Sequence, residues 1–169
     1  MSISIAFPKQ DTKLKGNVIV GVFDGHTLGA NAEKLDKKLG GLMSDILKNE
    51  KGFKASLGQT LNLAVAEANG ITRIILLGLG KPEDLTALKA EEAGGKLFAA
   101  IGKSGITDAS LIADKSKKLK IEAAAAHIAN GHIARRLSNM RAAGRASALG
   151  AALAVAAAAA GADGRAVAG

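Results

Sequence analysis

The sequence predicts an α/β layered domain with a mixed or largely parallel sheet, and three observations carry that expectation. Short strand-like segments alternate with segments whose apolar residues recur at helical spacing, the order expected when helices cover a sheet. Two of the strand-like runs, residues 17–23 and 71–77, are almost continuously apolar, as strands buried on both faces are. Glycine pairs and Asp-Gly or Pro-containing turns punctuate the chain between these runs.

Each element follows from its own residues. Residues 2–7 alternate polar and apolar side chains, with Ile3, Ile5 and Phe7 on one face, and read as a strand. Residues 17–23 form a second strand that ends at the turn signal Asp24-Gly25. From 30 to 39, Ala32, Leu35, Lys38 and Leu39 recur at helical spacing, and Gly40-Gly41 supplies the stop. Leu42, Met43, Ile46 and Leu47 continue as a second, short helix. Residues 59–65 alternate again, with Leu61, Leu63 and Val65 in phase, and 71–77 is a buried strand that breaks at Gly78-Leu79-Gly80. Beyond Lys81-Pro82-Glu83-Asp84 a helix is expected over about 86–103, with Thr86 as N-cap and Gly105 closing it. In that helix Glu91 and Glu92 are read as helix-start charges, and Gly94-Gly95 as a weak middle. Residues 106–113 read as a further strand. Residues 115–120 are a solvated basic link to an Ala-rich helix beginning near Ile121.

Past about residue 131 the composition changes. All of the Lys residues lie at or before Lys120, whereas Arg135, Arg136, Arg141, Arg145 and Arg165 follow it. From 142 to 169, 15 of 28 residues are Ala and five are Gly, with no apolar stripe to bury. The chain is therefore divided into a domain at 1–131 and an Ala/Gly/Arg-rich tail at 132–169. A helical extension, a natural low-complexity tail and a frameshifted or engineered end are all open readings of the second part, because GC-rich codons in a wrong frame yield these residues.

Charge and composition exclude several classes of function. The net charge is +8, yet residues 1–122 hold 18 basic against 14 acidic side chains, so half of the excess sits in the tail. Arg135, Arg136, Arg141 and Arg145 are candidates for weak phosphate contacts with nucleic acid. No Trp or Tyr is available to stack on bases. The absence of Cys removes disulfides, thiolate metal sites and a cysteine nucleophile, and suits a reducing cytoplasm. The start of the chain lacks a signal-peptide pattern, and the uncharged stretch 146–162 is too short and too rich in Ala and Gly for a membrane span. A soluble, cytoplasmic chain is expected.

The search for chemistry finds no assembled centre. Gly78-Leu79-Gly80-Lys81-Pro82-Glu83 begins like a dinucleotide loop but has Glu83 where the third glycine belongs, so it reads as a tight turn. Asp24-Gly25-His26-Thr27 reads as a turn before a helix. His127 and His132 are five apart, about 140° around a helix, and so are poorly placed as a zinc pair. Glu83-Asp84, like Glu91-Glu92, reads as helix-start charge, and Ser104, Ser110 and Ser147 have no nucleophile elbow around them. No catalytic, cofactor-binding or metal-binding residue is assigned.

Six blocks nevertheless resemble the N-terminal domain of the leucyl aminopeptidase (cytosol aminopeptidase) family. They are Val20-Gly21-Val22-Phe23-Asp24-Gly25, Leu35-Asp36-Lys37-Lys38-Leu39-Gly40-Gly41, Gly58-Gln59-Thr60-Leu61, Arg73 through Lys81, Ala93-Gly94-Gly95, and Ala125-Ala126-His127-Ile128-Ala129-Asn130-Gly131. The resemblance implies a three-layer, macro-domain-like fold with a mixed, mostly parallel sheet between helices. It further implies a parent enzyme that is cytoplasmic and hexameric and that releases N-terminal residues such as leucine from peptides. Two divalent metals, manganese or zinc, serve that reaction in a C-terminal catalytic domain whose motifs are not found here. The chain by itself is therefore expected to be inactive and without cofactor. Alternative readings are a stand-alone macro-like module for a nucleotide such as ADP-ribose, with its crevice near Gly78–Lys81, and a basic DNA-binding accessory domain.

Overall fold

The computed structural model describes residues 4–6, 14–102, 104, 106, 108–120 and 123–131. The strands are β1 (Ser4–Ala6), β2 (Gly16–Phe23), β3 (Thr27–Leu28), β4 (Thr60–Ala68), β5 (Ile71–Gly80) and β6 (Asp108–Ile112). The helices are α1 (Ala30–Lys38), α2 (Leu42–Asn49) and α3 (Ala87–Ile101), followed by α4, described over 123–131. The sheet runs β1-β6-β2-β5-β4, with β3 turning back onto the end of β2. The β1–β6, β6–β2 and β2–β5 pairs are parallel, whereas β4 is antiparallel to β5. The expected α/β layering with a mixed, mostly parallel sheet is what the chain adopts.

The apolar runs are continuous because both faces of the sheet are covered. Val18, Val20 and Val22 of β2 join Ile74 and Leu76 of β5 against Ala32, Leu35, Met43 and Leu47 of α1 and α2. Ile19 and Phe23, with Ile75, Leu77 and Leu79, face the other way onto Ala90, Ala93, Leu97 and Ile101 of α3 and Ile128 of α4. The period of two along β2 and β5 thus splits one apolar run between two cores. This sets the route of the chain: it leaves β2 through α1 and α2 on one face, and returns from β5 to β6 through α3 on the other.

Strand β5 does not break at Gly78 as the glycines suggest, but runs on to Gly80. Gly78 N–H donates to Gln59 O at 2.7 Å and Gly80 N–H to Ala55 O at 3.0 Å, so the segment 55–59 continues the ladder. A β-carbon on Gly78 would fall within 2.6 Å of the Ala55 carbonyl carbon, so glycine is required here for backbone approach. Helix α3 begins at the expected Thr86 cap, whose Oγ accepts from Lys89 N–H at 3.4 Å, and ends at Ile101 with Gly102 as cap. No acid lies in its first turn. Glu91 and Glu92 come a full turn later, past the positions where an acid serves a helix start.

The turn from α1 to α2 shows how a helix end is built from sequence. Gly40 and Gly41 both have positive φ (70° and 84°), and Gly41 N–H donates to Asp36 O at 2.9 Å, which closes α1. The buried carboxylate of Asp36 then accepts from Met43 N–H at 2.8 Å, from Ser44 N–H at 3.3 Å and from the Ser44 hydroxyl. It caps the first turn of α2, where anionic charge is favourable. Asp36→Ala is expected to lower stability by about 1–2 kcal/mol, and Asp36→Asn by less, read as a shift in the urea midpoint at unchanged slope.

Candidate functional site

In an open sheet with helices on both faces, ligands sit beyond the carboxyl ends of the strands, where the connections part to opposite faces. Here that place lies beyond the ends of β2, β5 and β6. It is bordered by residues 24–31, 81–86 and 113–120, and by the first turn of α1. Positive helix ends and strand-end glycines are the groups that would receive an anion.

The first turn of α1 is already filled by the chain. Asp114, 3% exposed, follows β6 and turns its carboxylate onto the helix. Its Oδ1 accepts from Asn31 N–H at 2.7 Å and its Oδ2 from Ala32 N–H at 3.1 Å. The Asn31 side chain returns the contact by donating to Ala113 O at 3.0 Å. Gly29 permits this approach, since a β-carbon there would overlap the Asp114 carboxylate. At the end of β5, the glycine N–H groups that could cradle a phosphate are bonded to Gln59 O and Ala55 O. Neighbouring Lys81, Glu83 and Asp84 are exposed and form a turn through Asp84 N–H and Lys81 O at 3.0 Å.

The remaining candidates are also engaged locally. His26, with φ of 60°, donates from Nε2 to Phe53 O and stacks on the Phe53 ring at 6.3 Å between centroids. Gln59 clasps the 52–56 loop: its Oε1 accepts from Lys54 N–H at 2.9 Å, and its Nε2 donates to Gly52 O at 2.8 Å. His127 Nδ1 lies 2.9 Å from Glu91 Oε1, and Glu92 Oε1 lies 2.7 Å from Lys96 Nζ. Glu91 and Glu92 therefore serve the α3–α4 seam and the α3 surface rather than a helix start. Ser104 Oγ donates to Ala100 O at 3.3 Å. His132, Ser147 and the arginine candidates Arg135, Arg136, Arg141 and Arg145 lie outside the described residues.

The sequence reading missed both carboxylates that matter most to the fold, Asp36 and Asp114. Asp36 carried a local signal, since an acid before Gly-Gly and a new helix can reach its first turn. Asp114 carried none, because it caps a helix 82 residues earlier in the chain. Among the described residues, no group of three or more His, Cys, Asp or Glu is arranged to hold a metal ion. The donor chemistry agrees: both buried carboxylates accept backbone N–H groups, and His26 and His127 are turned to a carbonyl and a single carboxylate.

Comparison with known proteins places this arrangement. Residues 19–142 match the sequence profile of the cytosol aminopeptidase family, N-terminal domain. A probable cytosol aminopeptidase of Dechloromonas aromatica is 32% identical over 111 residues, covering 66% of this chain and 22% of the relative. One from Glaesserella parasuis is 31% identical over 110 residues, covering 64% and 22%. The chain thus spans about a fifth of the length of these relatives. Among solved structures, a mutant of tomato leucine aminopeptidase overlays with a TM-score of 0.54 at 23% identity, over 79% of this chain and 28% of that one. The macrodomain of Mycobacterium tuberculosis DarG overlays with a TM-score of 0.59 at 11% identity, over 79% and 92%. These overlays show a shared macro-like fold.

Proposed function

The chain belongs to the cytosol aminopeptidase family through its N-terminal domain, and from that premise we infer that it is a non-catalytic, structural part of a cytoplasmic metallo-aminopeptidase. The parent activity is the release of N-terminal residues such as leucine from peptides, with the two divalent metals held by a separate catalytic domain. One observation supports this reading: several residues of the blocks that carry the family resemblance are engaged in the chain's own packing. Asp36, Gly40 and Gly41 build the α1–α2 turn, Gln59 holds the 52–56 loop, and Gly78 admits a backbone segment. Gly94 and Gly131 bring α3 and α4 together. Groups committed in this way are not available to bind substrate or to move protons.

The expected result is that the purified chain does not hydrolyse leucine amide above the buffer rate, with or without added manganese. Sustained turnover that copurifies with the chain and is lost on its unfolding would overturn the assignment.

The macrodomain likeness speaks for a second reading, a ligand-binding module for a nucleotide such as ADP-ribose. The hydrogen bonding of Gly78 and Gly80 and the Asp114 carboxylate on α1 weigh against an anion at the strand ends. Calorimetry with ADP-ribose is expected to give no heat of binding. The DNA-binding reading draws on Arg135, Arg136, Arg141 and Arg145; a salt-sensitive gel shift abolished by deleting 132–169 would support it.

A further inference from the structure

The tripeptide Ala-Asn-Gly occurs twice in the chain, as Ala68-Asn69-Gly70 and as Ala129-Asn130-Gly131, and the fold holds the two copies differently. The first forms the tip of the β4–β5 hairpin, where Asn69 and Gly70 have φ of 55° and 85°. The second lies in α4. Both asparagines are exposed, so access of water does not separate them. The backbone does. An asparagine before glycine is open to attack on its side-chain amide by the following backbone nitrogen, because glycine has no β-carbon to hinder the approach. That attack requires the pair to swing briefly out of its folded geometry. At the hairpin tip the holds are local: Asn69 Nδ2 donates to Lys38 O at 3.0 Å, and Gly16 N–H donates to Gly70 O at 2.9 Å. The ladder behind the tip is interrupted between Ala64 and Ala68, so the tip opens without unpairing a continuous ladder. In α4 the Gly131 nitrogen belongs to a helix, where N–H groups are held by carbonyls one turn back. Gly131 is also buried against the Glu91 backbone, so freeing it means unwinding α4 and parting it from α3.

We propose that Asn69 is a site of spontaneous deamidation in the folded chain, while Asn130, in the same tripeptide, is protected by its helix. The Gly70 nitrogen gives its proton to solvent base and bonds to Asn69 Cγ. The Cγ–Nδ2 bond breaks, and ammonia departs with a proton taken from water. The resulting succinimide takes up water at either ring carbonyl. Opening at Cγ gives aspartate at 69, and opening at the main-chain carbonyl gives isoaspartate. The sum is amide plus water going to carboxylate plus ammonium, with nothing oxidised or reduced. The new carboxylate has no proton to donate to Lys38 O, and it sets negative charge against the C-terminal end of α1. Deamidation therefore releases the hairpin tip from that helix.

The full 169-residue chain tests this, incubated in mildly alkaline buffer both folded and in urea, then digested with trypsin and read by mass spectrometry. Cleavage after Lys54 and Arg73, and after Lys120 and Arg135, puts the two asparagines on separate peptides, and fragmentation separates Asn69 from Asn62. In the folded chain, conversion at Asn69 is expected to run at least about tenfold faster than at Asn130. In urea the two rates converge, since the tripeptides are the same. Equal rates in the folded chain, or conversion of Asn69 only in urea, overturn the proposal. Asn69→Asp carries the product's charge on an unaltered backbone and is expected to lower the urea midpoint. A midpoint equal to the parent's overturns the release of the hairpin from α1.

Discussion

Replacing Gly94 by Ala is expected to destabilise the domain by about 3 kcal/mol, although Ala is the better helix former. A β-carbon on Gly94 would overlap the Ile128 carbonyl oxygen and lie 2.7 Å from its carbonyl carbon. Gly131 of α4 stands in the reciprocal position, its β-carbon falling 2.6 Å from the carbonyl carbon of Glu91. Neither backbone atom can move without moving its helix, and α3 and α4 each carry buried residues, Leu97 and Ile128 among them, into one core. Helix propensity alone predicts a gain of about 1 kcal/mol, so the two effects have opposite signs and the measurement separates them. Gly94→Ala and Gly131→Ala each lower the urea midpoint. Their combination costs less than the sum, because helices already forced apart by one methyl accommodate the second. A Gly94→Ala variant as stable as the parent, or strict additivity of the pair, would show that the seam is not the constraint.

The same glycine shows where sequence reasoning stops. Elements and layers are legible because they depend on local pattern: β2 and β5 announce burial on both faces by continuous apolar residues, and Thr86 announces a helix start. What the pattern does not carry is who stands opposite. Gly94 reads as a weak point in a helix until Ile128 is placed against it, and Glu91 reads as a helix-start charge until His127 is placed beside it. One local signal was there to use. Asn69-Gly70, with φ of 55° and 85°, forms the two-residue turn that joins β4 to β5, and such a pair is a strong hairpin signature. It explains why β4 is antiparallel while the other long strands run parallel.

Asp114→Ala is expected to cost about 2–3 kcal/mol, among the largest effects of any polar substitution in the chain. The carboxylate joins the end of β6 to the start of α1 through two N–H groups, at 2.7 and 3.1 Å, on the first turn of the helix. Its loss uncovers both donors and removes negative charge from the positive end of α1. Asp114→Asn keeps one carbonyl acceptor but no charge, and should fall between parent and Ala. At this size each kcal/mol lowers the melting temperature by roughly 4 °C, so the three proteins should be resolved by calorimetry. The substitution also bears on function. If the domain is structural, uncovering the first turn of α1 only weakens it, and inorganic phosphate should not restore the loss. If the strand ends were built as an anion site with Asp114 as a plug, phosphate would raise the melting temperature of Asp114→Ala selectively over the parent. The first outcome is expected, because Gly29 fits the aspartate closely and Asn31 fastens it from the other side through Ala113 O. Such mutual fitting marks a joint between two elements rather than a seat that a ligand enters and leaves.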